Sequence, residues 1–256
     1  IQPAAGDAGG AMGVALWTWH HLLGRDRIWK LDDVYLGPGY SDAEILDSLD
    51  SYGAVYRKMK DPELMTEVAT MVDAAKVVGW YQGRLEWGPR ALGHRSILGD
   101  ARNEKMRDII NIKIKKREGF RPFAPSVLEE DVGQYFEIDR PSPHMLLVAP
   151  VHESPPQHLP SITHVDGSAR VQTIREDQDP RYYRLIRTFK ERTGCSVIIN
   201  TSMNVRGEPI VNTPEDAYRC FMRTDMDAIA IGPYLLLKED QPTLELASAA
   251  DEFGLD

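Results

Sequence analysis

From residue 61 onward the chain alternates short apolar runs with amphipathic stretches at helical spacing, which limits it to folds in which helices cover a sheet. Asp61-Pro62 opens a helix to about Lys76, and Val77 to Tyr81 reads as a strand. A helix near Glu104 to Ile112 comes next, then strands near Phe123 to Leu128 and Met145 to Val151, with a proline-rich loop between Glu153 and Ser161. Further strands are predicted at Arg170 to Ile174, Ser196 to Asn200 and Ala228 to Leu237. Helices separate them at Arg181 to Arg192 and, with Thr213 as cap and Pro214 at the first position, through about Met222. The predicted class is α/β, or α+β, with a largely buried sheet.

Upstream, Gly6-Asp7-Ala8-Gly9-Gly10 is a glycine-rich turn running into a short apolar helix, about Val14 to Leu23. Gly37-Pro38-Gly39 and then Ser41 with Glu44, a capping box opening a helix to about Tyr52, give residues 25–58 the look of a connector. The chain opens with Ile-Gln-Pro and is expected to be a fragment of a longer protein. Its 256 residues suffice for a full core without disulfides. The net charge of −9 counts against a surface built to hold nucleic acid or anionic lipid, and no apolar run is long enough to span a membrane. Cys195 and Cys220, the only cysteines, form no CxxC pattern; a reducing compartment, the cytoplasm, is expected.

Four clusters carry chemistry. In Gly83 to Ser96, arginines 84, 90 and 95 and His94 lie among glycines after a strand; guanidinium forks beside flexible backbone suit phosphate or carboxylate oxygens. A solvated loop with surface ion pairs is the alternative. Between Glu104 and Arg121 seven basic residues stand against three acidic ones, in a protein that is acidic elsewhere. Some of these must form a wet helix face, because Lys115 and Lys116 cannot point the same way. Arg121 is set apart by Pro122 and Phe123, which hold it at the start of a buried strand. In Ser196 to Pro209 a strand ends in Asn200, Thr201, Ser202 and Asn204, hydroxyls and amides where open α/β sheets place ligands; a turn satisfying its own backbone is the alternative. His164 to Gln172 adds Arg170. Histidine spacings for zinc, a Walker loop, GxGxxG and GxSxG are all absent. The residues alone imply an α/β pocket rich in cationic donors, suited to a substrate with several phosphates.

The blocks GRLEWGPRALGHRSIL, KIKKREGFRPFAPSVL, HVDGSARVQTI and IINTSMNVRGEPIVNTPEDA resemble, in order, those of the NodU/CmcH family of ATP-dependent O-carbamoyltransferases, from Gln2 to about Lys238. The resemblance implies residues 1–24 as the end of an ASKHA-type carbamoyl-transfer domain; residues 25–58 read as connector, and the acidic segment 241–256 reads as a loose tail. Residues 59–240 become a YrdC-like domain with a mixed twisted sheet flanked by helices. By the same resemblance Asp7 is an iron (Fe2+) ligand of the upstream domain, incomplete here, and Lys115, Arg117, Ser202 and Asn204 match the KxR and SxN motifs of YrdC-like domains. The implied chemistry binds carbamoyl phosphate and ATP with Mg2+, forms carbamoyl adenylate, and passes the carbamoyl group to a hydroxyl of a small-molecule acceptor, a biosynthetic transferase reaction. Catalytic roles fall to Lys115, Arg121, Arg90 and Ser202; Arg117, Arg170, Asn204 and the Met145 backbone join them in binding substrate and ATP. The alternatives are a threonylcarbamoyl-adenylate synthase and a non-catalytic RNA-binding module; the charge balance counts against the second, as it does against any nucleic-acid partner.

Overall fold

The computed structural model describes residues 2–31, 33–244, 246 and 252. The first helix, α1 (Gly10–Trp17), continues as a wider π-type turn over Thr18–Leu22. Ser41 then caps α2 (Asp42–Ser51) with the reciprocal bonds of a capping box to Glu44, as its sequence predicts. Within the stretch read as a connector, α2 places Ile45 and Leu49 in the main core.

Nine strands follow the order β1, β9, β8, β2, β3, β7, β4, β6, β5. They are β1 (Arg57–Lys58), β2 (Val78–Tyr81), β3 (Arg95–Asp100), β4 (Ala124–Leu128), β5 (Leu147–Pro150), β6 (Ser168–Ile174), β7 (Val197–Ser202), β8 (Ala228–Ile231) and β9 (Tyr234–Leu237). β2 with β8 and β4 with β6 pair in parallel, and the other neighbours antiparallel, so the sheet is mixed as expected. Every residue of β2, β3, β4 and β8 is buried, the mark of strands covered on both faces. The cover comes from α2, α3 (Asp61–Asp73), α6 (Pro180–Thr193) and α7 (Pro214–Arg223), α3 packing beside α6 and α2 beside α7. Two one-turn helices, α4 (Met106–Ile109) and α5 (Val132–Tyr135), complete the set.

Three departures from the sequence reading matter to the site. Strand β3, for which no strand was predicted, begins at the end of the arginine-rich cluster. Its first residue, Arg95, is fully buried, because its guanidinium donates to the carbonyls of Gln82, Gly83 and His94 and stacks 3.7 Å from the Tyr81 ring centroid. The single strand expected over 228–237 is a hairpin, β8 to β9, turning at Gly232 with φ +57°. The helix expected over 104–112 becomes α4 and a π-type turn, Ile110–Lys115. That turn buries residues 110, 111, 114 and 115 together, and Lys116 ends it in the left-handed region at φ +48°.

Candidate functional site

Lys115 settles which lysine of the basic stretch faces inward: it is buried, while Lys113 and Lys116 are exposed. Its Nζ donates to the Asn204 Oδ1 at 2.7 Å and the Asn204 carbonyl at 3.0 Å, and also to the Ser202 carbonyl and, at 3.3 Å, to Ser202 Oγ. Ser202 Oγ donates in turn to Asn204 Oδ1 at 2.7 Å. Burial pushes the Lys115 ammonium down to about 7, with Arg117 adding repulsion. The end of β7 therefore carries Ser202 and Asn204 to a lysine poised between its two charge states.

Beside this triad lie two adjoining cavities of about 300 and 430 Å³. Arg90, Met145, Arg170, Asn200 and Thr201 line the first, Lys115, Asn204 and Arg206 the second, and Arg117, Arg121 and Ser202 both. All eight of the candidate substrate-binding residues, 90, 115, 117, 121, 145, 170, 202 and 204, thus border one continuous region. Their electrostatics are one-sided. Burial, reinforced by Arg90, pushes the Arg170 guanidinium down to about 10, and burial with repulsion from Arg121 lowers Arg117. Among the described residues neither Arg90 nor Arg170 forms an ion pair, and the Nε of each is buried without a partner. Arg117 donates to Asn111 Oδ1 at 2.7 Å and lies over the Phe123 ring. Arg121 is more exposed than Pro122 and Phe123 led one to expect, its side chain 53% accessible and paired with Glu118 at 3.0 Å.

Met145 is buried with φ +54°, a left-handed backbone in a residue other than glycine. Such a conformation costs about 1 to 2 kcal/mol and persists where packing enforces it. Here Val34, Leu92 and Ala124 pack with Met145 in a small core of their own at the cavity wall.

Of the charged residues in the Gly83 to Ser96 cluster only Arg90 is among the residues lining the two cavities, between Pro89 and Ala91. Arg84 donates to the carbonyls of Leu36 and Gly37, tying the loop to the upstream segment, and Arg95 is the buried anchor described above. His94 stacks on Tyr35 with centroids 3.7 Å apart and lies 3.4 Å from Asp179 Oδ2. Burial opposes the His94 imidazolium, but Asp179, Glu86 and the Arg84 carbonyl together outweigh it and raise the group. The residue that sequence reasoning missed is Glu86. Its buried Oε1 accepts the amides of Leu92, His94 and Arg95 at 2.8, 2.7 and 3.1 Å, closing the loop that presents Arg90. The signal was available: an acidic residue within a glycine-rich loop has several free amides in reach. Glu86→Ala is expected to cost about 3 kcal/mol, seen as a lower denaturation midpoint together with weaker anion binding.

Among the described residues no group of three His, Cys, Asp or Glu is placed to hold an ion, and Glu118 is the one carboxylate lining either cavity. The Asp7 side chain lies outside the described residues, as does most of the segment 241–256. Among the described residues no helix is long and apolar enough to cross a membrane.

Residues 69–238 match the family model described as carbamoyltransferase C-terminus. An uncharacterized protein of Synechocystis is 50% identical, over 100% of this chain and 46% of its own length. Nodulation protein NolO of Bradyrhizobium diazoefficiens is 41% identical over 93% of this chain and 44% of its own. The 3'-hydroxymethylcephem-O-carbamoyltransferase of Streptomyces clavuligerus is 35% identical over 90% of this chain and 42% of its own. The chain thus spans less than half the length of these relatives. A solved structure of full-length HypF, in the phosphate- and nucleotide-bound form, aligns with TM-score 0.48 and 21% identity over 69% of this chain and 21% of HypF.

Proposed function

The chain belongs to the carbamoyltransferase carboxyl-terminal family, and from that premise we propose that its paired cavities bind carbamoyl phosphate and ATP and make carbamoyl adenylate. The observation that carries the reading is the facing of like charges: Arg90 with Arg170, and Arg117 with Arg121, each pair repelling around shared space. An anion placed between facing, partly desolvated guanidinium groups offsets their repulsion.

In the proposed sequence, water cleaves carbamoyl phosphate to carbamate and inorganic phosphate. A carbamate oxygen then attacks the α-phosphorus of ATP, and the bond to pyrophosphate breaks. Arg90, Arg117, Arg121, Arg170 and Lys115 offset the negative charge of the two substrates and of the transition state, while Ser202 and Asn204 hold phosphate or carbamoyl oxygens. The Met145 backbone positions the planar carbamoyl group. Catalysis then rests on position and preorganised charge, without a covalent enzyme intermediate. Residues 59–240 form the adenylating unit in this proposal. The acceptor hydroxyl attacks the carbamoyl carbon in the ASKHA-type domain that residues 1–24 complete, and AMP departs.

Calorimetric binding of carbamoyl phosphate and of ATP, followed by pyrophosphate release with both and Mg2+ present, tests the reading. Binding of each ligand, and release that carbamoyl phosphate stimulates and Lys115→Ala removes, are expected. A chain that binds neither ligand overturns it.

A further inference from the structure

Residues 34–38, within the stretch read as a connector, run across the loop that presents Arg90 and bond to it like an added strand. The Trp87 amide donates to the Val34 carbonyl at 2.7 Å, the Leu85 amide to the Pro38 carbonyl at 2.8 Å, and the Gly37 amide to the Leu85 carbonyl at 3.0 Å. Arg84 adds its bonds to Leu36 and Gly37, and Val34 packs with Leu92 and Met145 at the cavity wall. One side chain joins this strap to both the loop and α6. The Tyr35 ring stacks on His94, and its one hydroxyl proton is shared between the Leu92 carbonyl at 3.3 Å and Asp179 Oδ2 at 3.2 Å.

The charge state of His94 follows from its partners. Nδ1 lies 2.6 Å from the Arg84 carbonyl, which can only accept, so Nδ1 carries a proton. Nε2 lies 3.4 Å from Asp179 Oδ2, and a neutral ring would turn a lone pair there toward a buried carboxylate. An imidazolium satisfies both neighbours. The ring is closely seated, since a Cβ on Gly83, where φ is +49°, would meet its Cε1 at 2.8 Å. Glu86, a second buried carboxylate, adds to the attraction, while burial and the carboxylates keep the Tyr35 and Tyr182 hydroxyls protonated. The Arg95 guanidinium is turned to Tyr81, and His144 and Arg175 line a small cavity with Tyr35 and Asp179. We propose that the His94 imidazolium is a positioning latch that clamps the strap, through Tyr35, and α6, through Asp179, onto the loop presenting Arg90, so that anion affinity falls when its proton leaves. This rests on the function proposed above and adds the residue through which the upstream segment steadies the site. The folded chain holds His94 above its ordinary 6.5, so the latch contributes fully to stability below about pH 6.5 and is lost as pH rises through the folded value.

Hydrogen exchange of the whole chain, followed by NMR across pH, reads the latch at the Leu85 and Trp87 amides, whose bonds cross to the strap. Once intrinsic exchange is divided out, protection is expected to drop by about tenfold as the His94 ring signals titrate. In His94→Gln it should be flat with pH. In Asp179→Asn, where asparagine keeps the cap on α6 but loses the charge, the drop should move to lower pH. Calorimetric affinity for carbamoyl phosphate gives the second reading. Wild type and His94→Gln both carry Lys115, so the ratio of their affinities cancels its titration. That ratio should favour wild type by about tenfold near pH 6 and shrink toward one above the pH at which His94 titrates. A ratio that stays constant with pH overturns the inference, because His94 then serves the fold alone. Protection that ignores pH in wild type, that follows pH equally in His94→Gln, or whose drop is unmoved in Asp179→Asn overturns it too. Each of these leaves the proposed function standing. A wild type that binds no carbamoyl phosphate at any pH overturns the proposed function and, with it, the claim of this inference on binding.

Discussion

Arg170→Met is expected to weaken carbamoyl phosphate binding by roughly a hundredfold while leaving the unliganded protein as stable as before, or more so. A charge-assisted hydrogen bond from a partly buried guanidinium to a phosphate is worth about 3 kcal/mol, which is about two orders of magnitude in affinity. The effect on the free protein has the opposite sign. In the folded chain Arg170 is desolvated, repelled by Arg90, and, among the described residues, bonded to no side chain but the Met145 thioether, at 3.8 Å. Methionine fills similar space, removes the desolvated charge and relieves Arg90. Thermal denaturation should then show an unchanged or raised midpoint in Arg170→Met, and a ligand-induced rise that is lost. A variant that melts well below wild type without ligand would mean that Arg170 serves the fold and not the anion.

The same contrast between stability and binding explains how much of the site the sequence discloses. Binding groups that carry a family of motifs along the chain are legible: Lys115 with Arg117, Ser202 with Asn204, and Arg90 and Arg170 all reach one region. Helix ends are legible too, because a capping box is a local contract between residues three apart, and both Ser41 and Thr213 honour it. What stays hidden is satisfaction at a distance. Arg84, Arg95 and His94 have the composition of a phosphate loop, yet they spend their donors on carbonyls of Leu36, Gly37, Gln82, Gly83 and Arg84. Strand β3 escapes notice because it begins with an arginine and carries Gly99, where a Cβ would crowd Met106 and Ile110. Only the fold shows that a buried cation there is paired.

Binding of a phosphate-bearing anion is expected to draw a proton from solution, and Lys115 is the group that takes it up. In the free protein burial pushes the lysine down to about 7, with Cys220 and Glu208 opposing the shift, from an ordinary value of 10.5 in the unfolded chain. The folded value is depressed, so between about pH 7 and 10.5 the unfolded state holds more protons, and stability rises with pH across that window. Below pH 7 both states are protonated and the burial penalty, at most about 5 kcal/mol from the shift, is borne in full. An anion in the second cavity reverses the balance by favouring the ammonium. Proton uptake of about half a proton at pH 7 and nearly one at pH 8 follows, with affinity falling toward tenfold per pH unit above neutrality. Titrating carbamoyl phosphate in two buffers of different ionisation enthalpy measures the uptake directly, and Lys115→Met supplies the baseline for protonation of the ligand itself. Heats that do not depend on the buffer, or an equal uptake in Lys115→Met, would place the proton elsewhere and leave Lys115 as a fixed structural donor to Ser202 and Asn204.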